Sequence, residues 1–309
     1  MGKLYRNSAI AGKIETTPGT DIVPTPAADA LLVRNFTWNP IEMTVEERDL
    51  VRAYLGNSED IVVAQWITAE FEVELAGSGT AGTAPKYDWL LRMCGHAKTV
   101  AAGVNVTYTP ISTGFESASV YCNFDQVLHK STFCMGKAGL GLDARKIPVI
   151  KVQIKGLFKP LVDTTAWSPV YTGFVKPLAV NKANSTLSIQ GVNAAVETLQ
   201  FDSNAAIEYR NLYNFEGVQY TDRKPAGTIS LEMTSVATKD WMASILAATT
   251  GALNVVHGLT AGNIVELQCP NAQITQPKYS NSQGIQMLSG NLKLLPGSAG
   301  NDEYSIIVR

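Results

Sequence analysis

A strand-and-helix pattern that occurs twice constrains this chain more than any other feature. In Gln65–Leu75 (QWITAEFEVEL) the apolar residues Ala69, Phe71, Val73 and Leu75 alternate with Glu70, Glu72 and Glu74. About a dozen residues later comes Tyr87-Asp88-Trp89-Leu90-Leu91. In Lys224–Met233 (KPAGTISLEM) Gly227, Ile229, Leu231 and Met233 alternate with Thr228, Ser230 and Glu232, and Lys239-Asp240-Trp241-Met242 follows. A period of two with one apolar face is a half-buried strand. Asp-Trp opening an apolar run reads as a helix start. Phe71 matches Ile229 and Trp89 matches Trp241, at spacings of 158 and 152 residues, so the first copy carries about six extra residues, rich in glycine. A third pairing sets Gly139 against Gly290 and Val152 against Ile306. The pattern predicts one β-rich unit written twice.

The 309 residues suffice for two domains of ordinary size. The expected division is an extended arm (1–28), a first unit (29–158), an extended linker (159–182) and a second unit (183–309). Pro18-Gly19, Pro24 and Pro26 punctuate the arm, and Pro160, Pro169 and Pro177 stiffen the linker. A strand over Ala30–Trp38 ends at Pro40. Ile41–Ala64 then reads as a long loop, with a counterpart over roughly Asn193–Arg223. Loops of that length exceed an ordinary connection of about 4–6 residues and tend to meet a partner. Arg48, Arg52 and Tyr54 in the first, and Tyr209, Arg210 and Tyr213 in the second, are the candidate subunit contacts. Strands are expected over Val104–Pro110, Ser117–Phe124, Gly136–Asp143 and Pro148–Leu157, with a tight turn at Asp125-Gln126.

Net charge is −2, from 25 basic and 27 acidic residues, which argues against a protein that grips nucleic acid or an anionic membrane. No window approaches the ~18 apolar residues of a membrane span, and the amino terminus lacks an apolar core of signal-peptide length. Synthesis in the cytosol is therefore expected, and the three glycosylation sequons count as chance matches. The four cysteines have no ligand-like spacing and read as buried free thiols. Cys94-x-His96 is too short for a zinc site. Gly77–Gly82 spells GxGxxG, but the preceding strand has a polar face, Thr83-Ala84-Pro85 separates it from the helix, and no carboxylate follows about 20 residues on. It reads as a flexible hairpin-like loop, and no cofactor, metal or catalytic residue is expected.

Several motifs, in their order along the chain, carry a resemblance. Ala11-Gly12-Lys13-Ile14-Glu15-Thr16-Thr17-Pro18-Gly19-Thr20, then Pro24-Thr25 and Ala30-Leu31-Leu32-Val33, resemble the opening of major tail (tail tube) proteins of long-tailed, siphovirus-type bacteriophages. Asp125–Lys130, Ile147–Phe158 and the closing Pro296–Asp302 are similar to later parts of the same proteins. The resemblance implies a mainly β fold: two tandem tube domains, each a small β-sandwich or half-barrel with a flanking helix and a long loop. It further implies a structural virion protein whose domains meet edge to edge in six-unit rings that stack into a tail tube. Its partners are then its own copies, other tail proteins (tape measure, terminator, baseplate) and double-stranded DNA in transit. With two units per chain, three chains complete a pseudo-sixfold ring. A basic lumen would hold DNA, so a neutral-to-acidic lining is expected, with Glu70, Glu72, Glu74 and Glu232 as candidates. The alternatives are another tail component, a secretion-system tube protein, or a carbohydrate-binding β-sandwich.

Overall fold

The computed structural model describes residues 2–309. Strands take up 53% of the chain and helix 4%, so it is mainly β, as the alternation predicts. The first half comprises β1 (Ser8–Ile14), β2 (Ala30–Leu31), β3 (Arg34–Glu47), β4 (Asp60–Glu74), α1 (Asp88–Met93), β5 (His96–Ala101), β6 (Asn105–Pro110), β7 (Ala118–Phe124), β8 (Val127–Gly141) and β9 (Val149–Asp163). The second comprises β10 (Ser185–Ile189), β11 (Val196–Asp202), β12 (Ala205–Leu212), β13 (Phe215–Arg223), β14 (Ala226–Glu232), α2 (Trp241–Leu246), β15 (Thr250–His257), β16 (Val265–Ser282), β17 (Ile285–Leu294) and β18 (Ser305–Val308).

Hydrogen-bonded neighbours in the first half run β3-β4-β9-β8-β7-β1, and in the second β11-β14-β17-β16-β15-β10, antiparallel throughout. The two orders match strand for strand. This equates β4 with β14, α1 with α2, β9 with β17 and β8 with β16. The pairs Phe71/Ile229 and Trp89/Trp241 therefore fall on equivalent elements. The third pairing is off by one strand, because Gly290 lies on β17 and Ile306 on β18, whereas Gly139 and Val152 lie on β8 and β9. Two additions caused the slip: the β5–β6 hairpin has no equivalent in the second half, and β18 has none in the first.

Side-chain alternation sets the core. Ala69, Phe71, Val73 and Leu75 are buried while Glu70 and Glu74 are exposed, and Ile229 and Leu231 repeat this on β14. These residues join Ile10, Trp89, Leu140, Phe201, Trp241 and Leu267 in one apolar cluster that spans both halves. Asp240 caps α2 by accepting from the Ala243 amide at 2.9 Å. Asp88 has a different task inside α1, holding Lys98 at 2.9 Å and the Tyr108 hydroxyl at 2.8 Å. Asp125 and Gln126 form the expected turn, with φ of 43° and 77°.

Three local expectations need correction. β3 does not stop at Pro40. It continues to Glu47, because β3 is an edge strand whose outer side needs no amide and the ladder shifts register between Asn39 and Glu42. Half of Ile41–Ala64 is consequently a two-stranded arm, with residues 48–59 as its tip. The glycine loop is not loose. Gly77 N donates to Asn263 Oδ1 and Gly79 N to the Gly262 carbonyl, both at 2.8 Å, and a Cβ at Gly77 would strike the Gly262 backbone. Its glycines permit backbone contact between the two halves. Within the stretch expected as an arm, β1 pairs along its length with β7. Just beyond it the buried Glu15 carboxylate accepts from Gly19 N at 2.7 Å, Phe133 N at 2.9 Å and the Ser117 and Ser119 hydroxyls.

Polar contacts stitch the halves together. Arg223 and Glu303, both nearly buried, pair at 2.9 Å while Arg223 also donates to the Ile111 carbonyl at 2.6 Å. His96 Nδ1 bonds the Leu91 carbonyl and its Nε2 bonds the Tyr304 hydroxyl, each at 2.8 Å. Burial lowers the His96 pKa to about 4. Above pH ~6.5 the residue is neutral whether folded or unfolded. Below that pH the unfolded chain takes up a proton that the folded chain refuses until about pH 4, so stability falls as pH drops through this window. From pH 7 to pH 5 the loss due to His96 is about 2 kcal/mol. Chemical denaturation at both pH values should therefore show wild type losing that much more than His96→Gln. Gly12 on β1 lies directly under the Trp89 ring, leaving no room for a Cβ. Gly12→Ala should cost about 2 kcal/mol by overpacking, read as a lower midpoint of denaturant unfolding.

Candidate subunit interface

Where the halves meet, one sheet runs into the other. β8 pairs with β7 over its first part and with β11 over its last, in the register Gly141↔Gln200, Leu140↔Phe201, Gly139↔Asp202. The glycines allow this approach, since a Cβ at Gly139 would meet the Phe201 and Asp202 backbone. An eight-stranded sheet results, in the order β3-β4-β9-β8-β11-β14-β17-β16. Its two ends are bare. β3 pairs only with β4, and beyond Gln273 β16 pairs only with β17. Such edges carry free amides and carbonyls ready to pair with another chain.

The hairpin β12–β13 of the second half lies across β8 and β9 of the first. Tyr209 stacks on Trp66 with centroids 5.1 Å apart, and Tyr220 stacks on Phe115 at 4.6 Å. Lys155 Nζ donates to the Ile207 carbonyl at 3.0 Å, and Val218 is fully buried. By strand order the equivalent of this hairpin is the outer arm of β3 and β4. Among the described residues, no other element packs closely on that arm. Met43, Val45, Val51, Leu55, Val62 and Val63 are exposed along it, Val51 and Leu55 completely.

The six expected contact residues accordingly divide. Arg48 pairs with Glu59 across the free arm, and Arg52 sits 5.9 Å from the ring of the exposed Tyr54. Tyr209 is used between the halves of one chain, with its hydroxyl donating to Glu216 at 2.7 Å. Arg210 reaches Gln219 at 3.0 Å across its own hairpin, and Tyr213 is fully exposed at the tip.

Opposite the core, the eight-stranded sheet presents a polar face. Glu70, Glu72 and Glu74 lie together on β4, and Glu232 lies on the same face of β14, separated from them by β9, β8 and β11. Glu70 accepts from Gln153 at 2.8 Å, and Glu72 pairs with Arg34 at 3.2 Å. One transverse row reads Glu72, Lys151, Gly139, Asp202, Ala226, Lys293, Gln273, so acids and bases alternate along it. Lys137 and Lys155 join the same face. The glutamates were visible from the alternation of β4. The lysines had the same signal in Pro148–Leu157 (PVIKVQIKGL), but which strands share a face depends on the pairing. A shallow trough on this face is lined by Lys151, Gln200, Asp202, Thr228, Asn291 and Lys293.

The four cysteines are buried free thiols. Burial pushes Cys134 and Cys269 up to about 12 and raises Cys94 and Cys122 as well, so all four stay protonated near neutral pH. Among the described residues no group of three or more His, Cys, Asp or Glu is placed to hold a metal ion.

The model of the family described as "Phage tail tube protein" matches residues 6–288. No curated protein matches the chain. With most of its length matched, the chain belongs to the phage tail tube protein family.

Proposed function

We propose that this tail tube protein closes into rings of three chains, each supplying two tube units, and that the rings stack into a conduit for double-stranded DNA. The observation that carries this reading is the β8–β11 junction: one unit already joins the next, edge to edge, inside a single chain. A head-to-tail contact of the same kind between chains uses the bare β16 edge of one and the bare β3 edge of the next. Heterologous contacts of this sort close into a ring when the rotation permits. Three eight-stranded sheets make a barrel of 24 strands. At a spacing of about 4.8 Å and a tilt of about 35–45°, opposite walls stand roughly 45–52 Å apart. Twice as many chains would double that width.

The polar face then lines the channel, with Glu70, Glu72, Glu74 and Glu232 set among Lys137, Lys151, Lys155 and Lys293. A lining with acids and bases in near balance suits passage, because each uncompensated cation would add a phosphate contact and slow release. The working division is a first unit at 29–158 and a second at 183–309, with β1 of the 1–28 segment folded onto the first and 159–182 as the connection. Family membership puts the protein in the virion tail. The role proposed for it is structural and non-enzymatic, with tape-measure, terminator and baseplate proteins as further partners after synthesis in the host cytoplasm. Electron microscopy of the purified protein at high concentration should give rings or tubes with three chains per ring and pseudo-sixfold density. Six chains per ring, or a net-basic lumen, would overturn the corresponding part of the proposal.

A further inference from the structure

The junction inside the chain is a template for the contact between chains. Equivalence runs through the pairing. Val73 of β4 and Leu231 of β14 face Ile150 and Leu288 on the neighbouring strands, and these in turn face Leu140 of β8 and Tyr279 of β16. Gly139, Leu140 and Gly141 thus correspond to Lys278, Tyr279 and Ser280. On the other side, Ala69 faces Trp38 as Gly227 faces Phe201, so Gln200, Phe201 and Asp202 correspond to Thr37, Trp38 and Asn39.

Resting on the head-to-tail ring proposed above, we infer that β3 of one chain pairs with β16 of a second copy in the register Thr37↔Ser280, Trp38↔Tyr279, Asn39↔Lys278. The β3–β4 arm of the first copy then lies over β16 and β17 of the second. An observation independent of the equivalence supports this register. Pro40 follows Asn39 and Pro277 precedes Lys278, and both sit at register shifts on the two bare edges. In the inferred pairing the prolines face each other. Neither has an amide to donate, so the ladder ends there after three residues. The template also spans three residues.

What covers the arm follows from the same template. Val218 of the second half's hairpin is fully buried, and the hairpin's β13 contacts β8 and β9 of the first half. The apolar residues exposed on the β3–β4 arm gain the matching cover from the second copy. Lys293 is the equivalent of Lys155, which holds a carbonyl of the seated hairpin. It is exposed on the polar face, at the position from which it reaches the incoming arm.

The test is a chain carrying Thr37→Cys and Ser280→Cys, both at exposed positions, assembled and then oxidised. The native thiols are buried and give no background. Thr37 and Ser280 lie on opposite edges of the sheet, on the order of 30 Å apart, so a bridge within one chain cannot form. The expected product on a non-reducing gel is a covalent closed trimer, at least tenfold more abundant than from Thr37→Cys with Ser282→Cys. Mixing the two single variants should give covalent dimers and nothing larger. Assemblies that form without the Thr37–Ser280 bridge, or that bridge better through position 282, overturn the register and leave the ring reading standing. Covalent hexamers keep the register and overturn the three-chain ring. Failure of wild-type protein to assemble overturns both.

Discussion

Everything in this molecule depends on what becomes of the hydrogen-bonding groups at the edges of an open sheet. Eight strands in series leave two edges, and each unpaired amide or carbonyl there must find water or another backbone. Inside the chain one such edge is closed by its own duplicate, at the β8–β11 junction, where glycines on β8 remove the side chains that would hold the backbones apart. Pro40 and Pro277 limit the remaining edges, because a strand interrupted by proline cannot template an indefinite ladder. Edge chemistry of this kind allows one specific partner and discourages promiscuous stacking.

Duplication changes the energetics of building a ring. In the proposed ring of three chains, half of the unit-to-unit contacts would form as the chain folds and so incur no loss of translational freedom between molecules. The halves are also fastened by more than the sheet. The Arg223 hydrogen bond to the Ile111 carbonyl, the His96–Tyr304 hydrogen bond and the contact of Gly77 and Gly79 with the Gly262–Asn263 turn all cross from one half to the other. A buried ion pair adds little net stability on average. The Arg223–Glu303 pair lies within the second half, and its value is geometric, since it holds the guanidinium that donates to the Ile111 carbonyl of the first half.

How much of this could be read in the sequence follows from the range of each interaction. The alternation of Phe71 and Val73, the Asp-Trp helix starts and the Asp125-Gln126 turn are local, and each was legible. Correspondence of the terminal strands was not, since an inserted hairpin in one half and an added strand in the other shift the spacing without leaving a local mark. Pro40 misled because its effect depends on whether the strand is central or at an edge, a property of the sheet and not of the residue. GxGxxG misled in a second sense: its glycines looked like freedom and serve close contact. Glu15 offered no signal, because its donors are gathered from three separate segments. For the candidate interface, the length of the two long connections picked out two hairpins, the outer arm of β3 and β4 and the β12–β13 hairpin. Only the pairing revealed that one is already occupied and the other is not.

The β5–β6 hairpin exists in one half only, where it carries β18 of the other half on its edge. In a ring built from three such chains this relief recurs at every second unit. The wall is then sixfold in its barrel and threefold in its decoration. Any protein that recognises the decoration meets three equivalent footholds, and one that recognises the barrel meets six. A tail whose neighbouring components differ in symmetry could be matched to both by one tube without any change in its backbone.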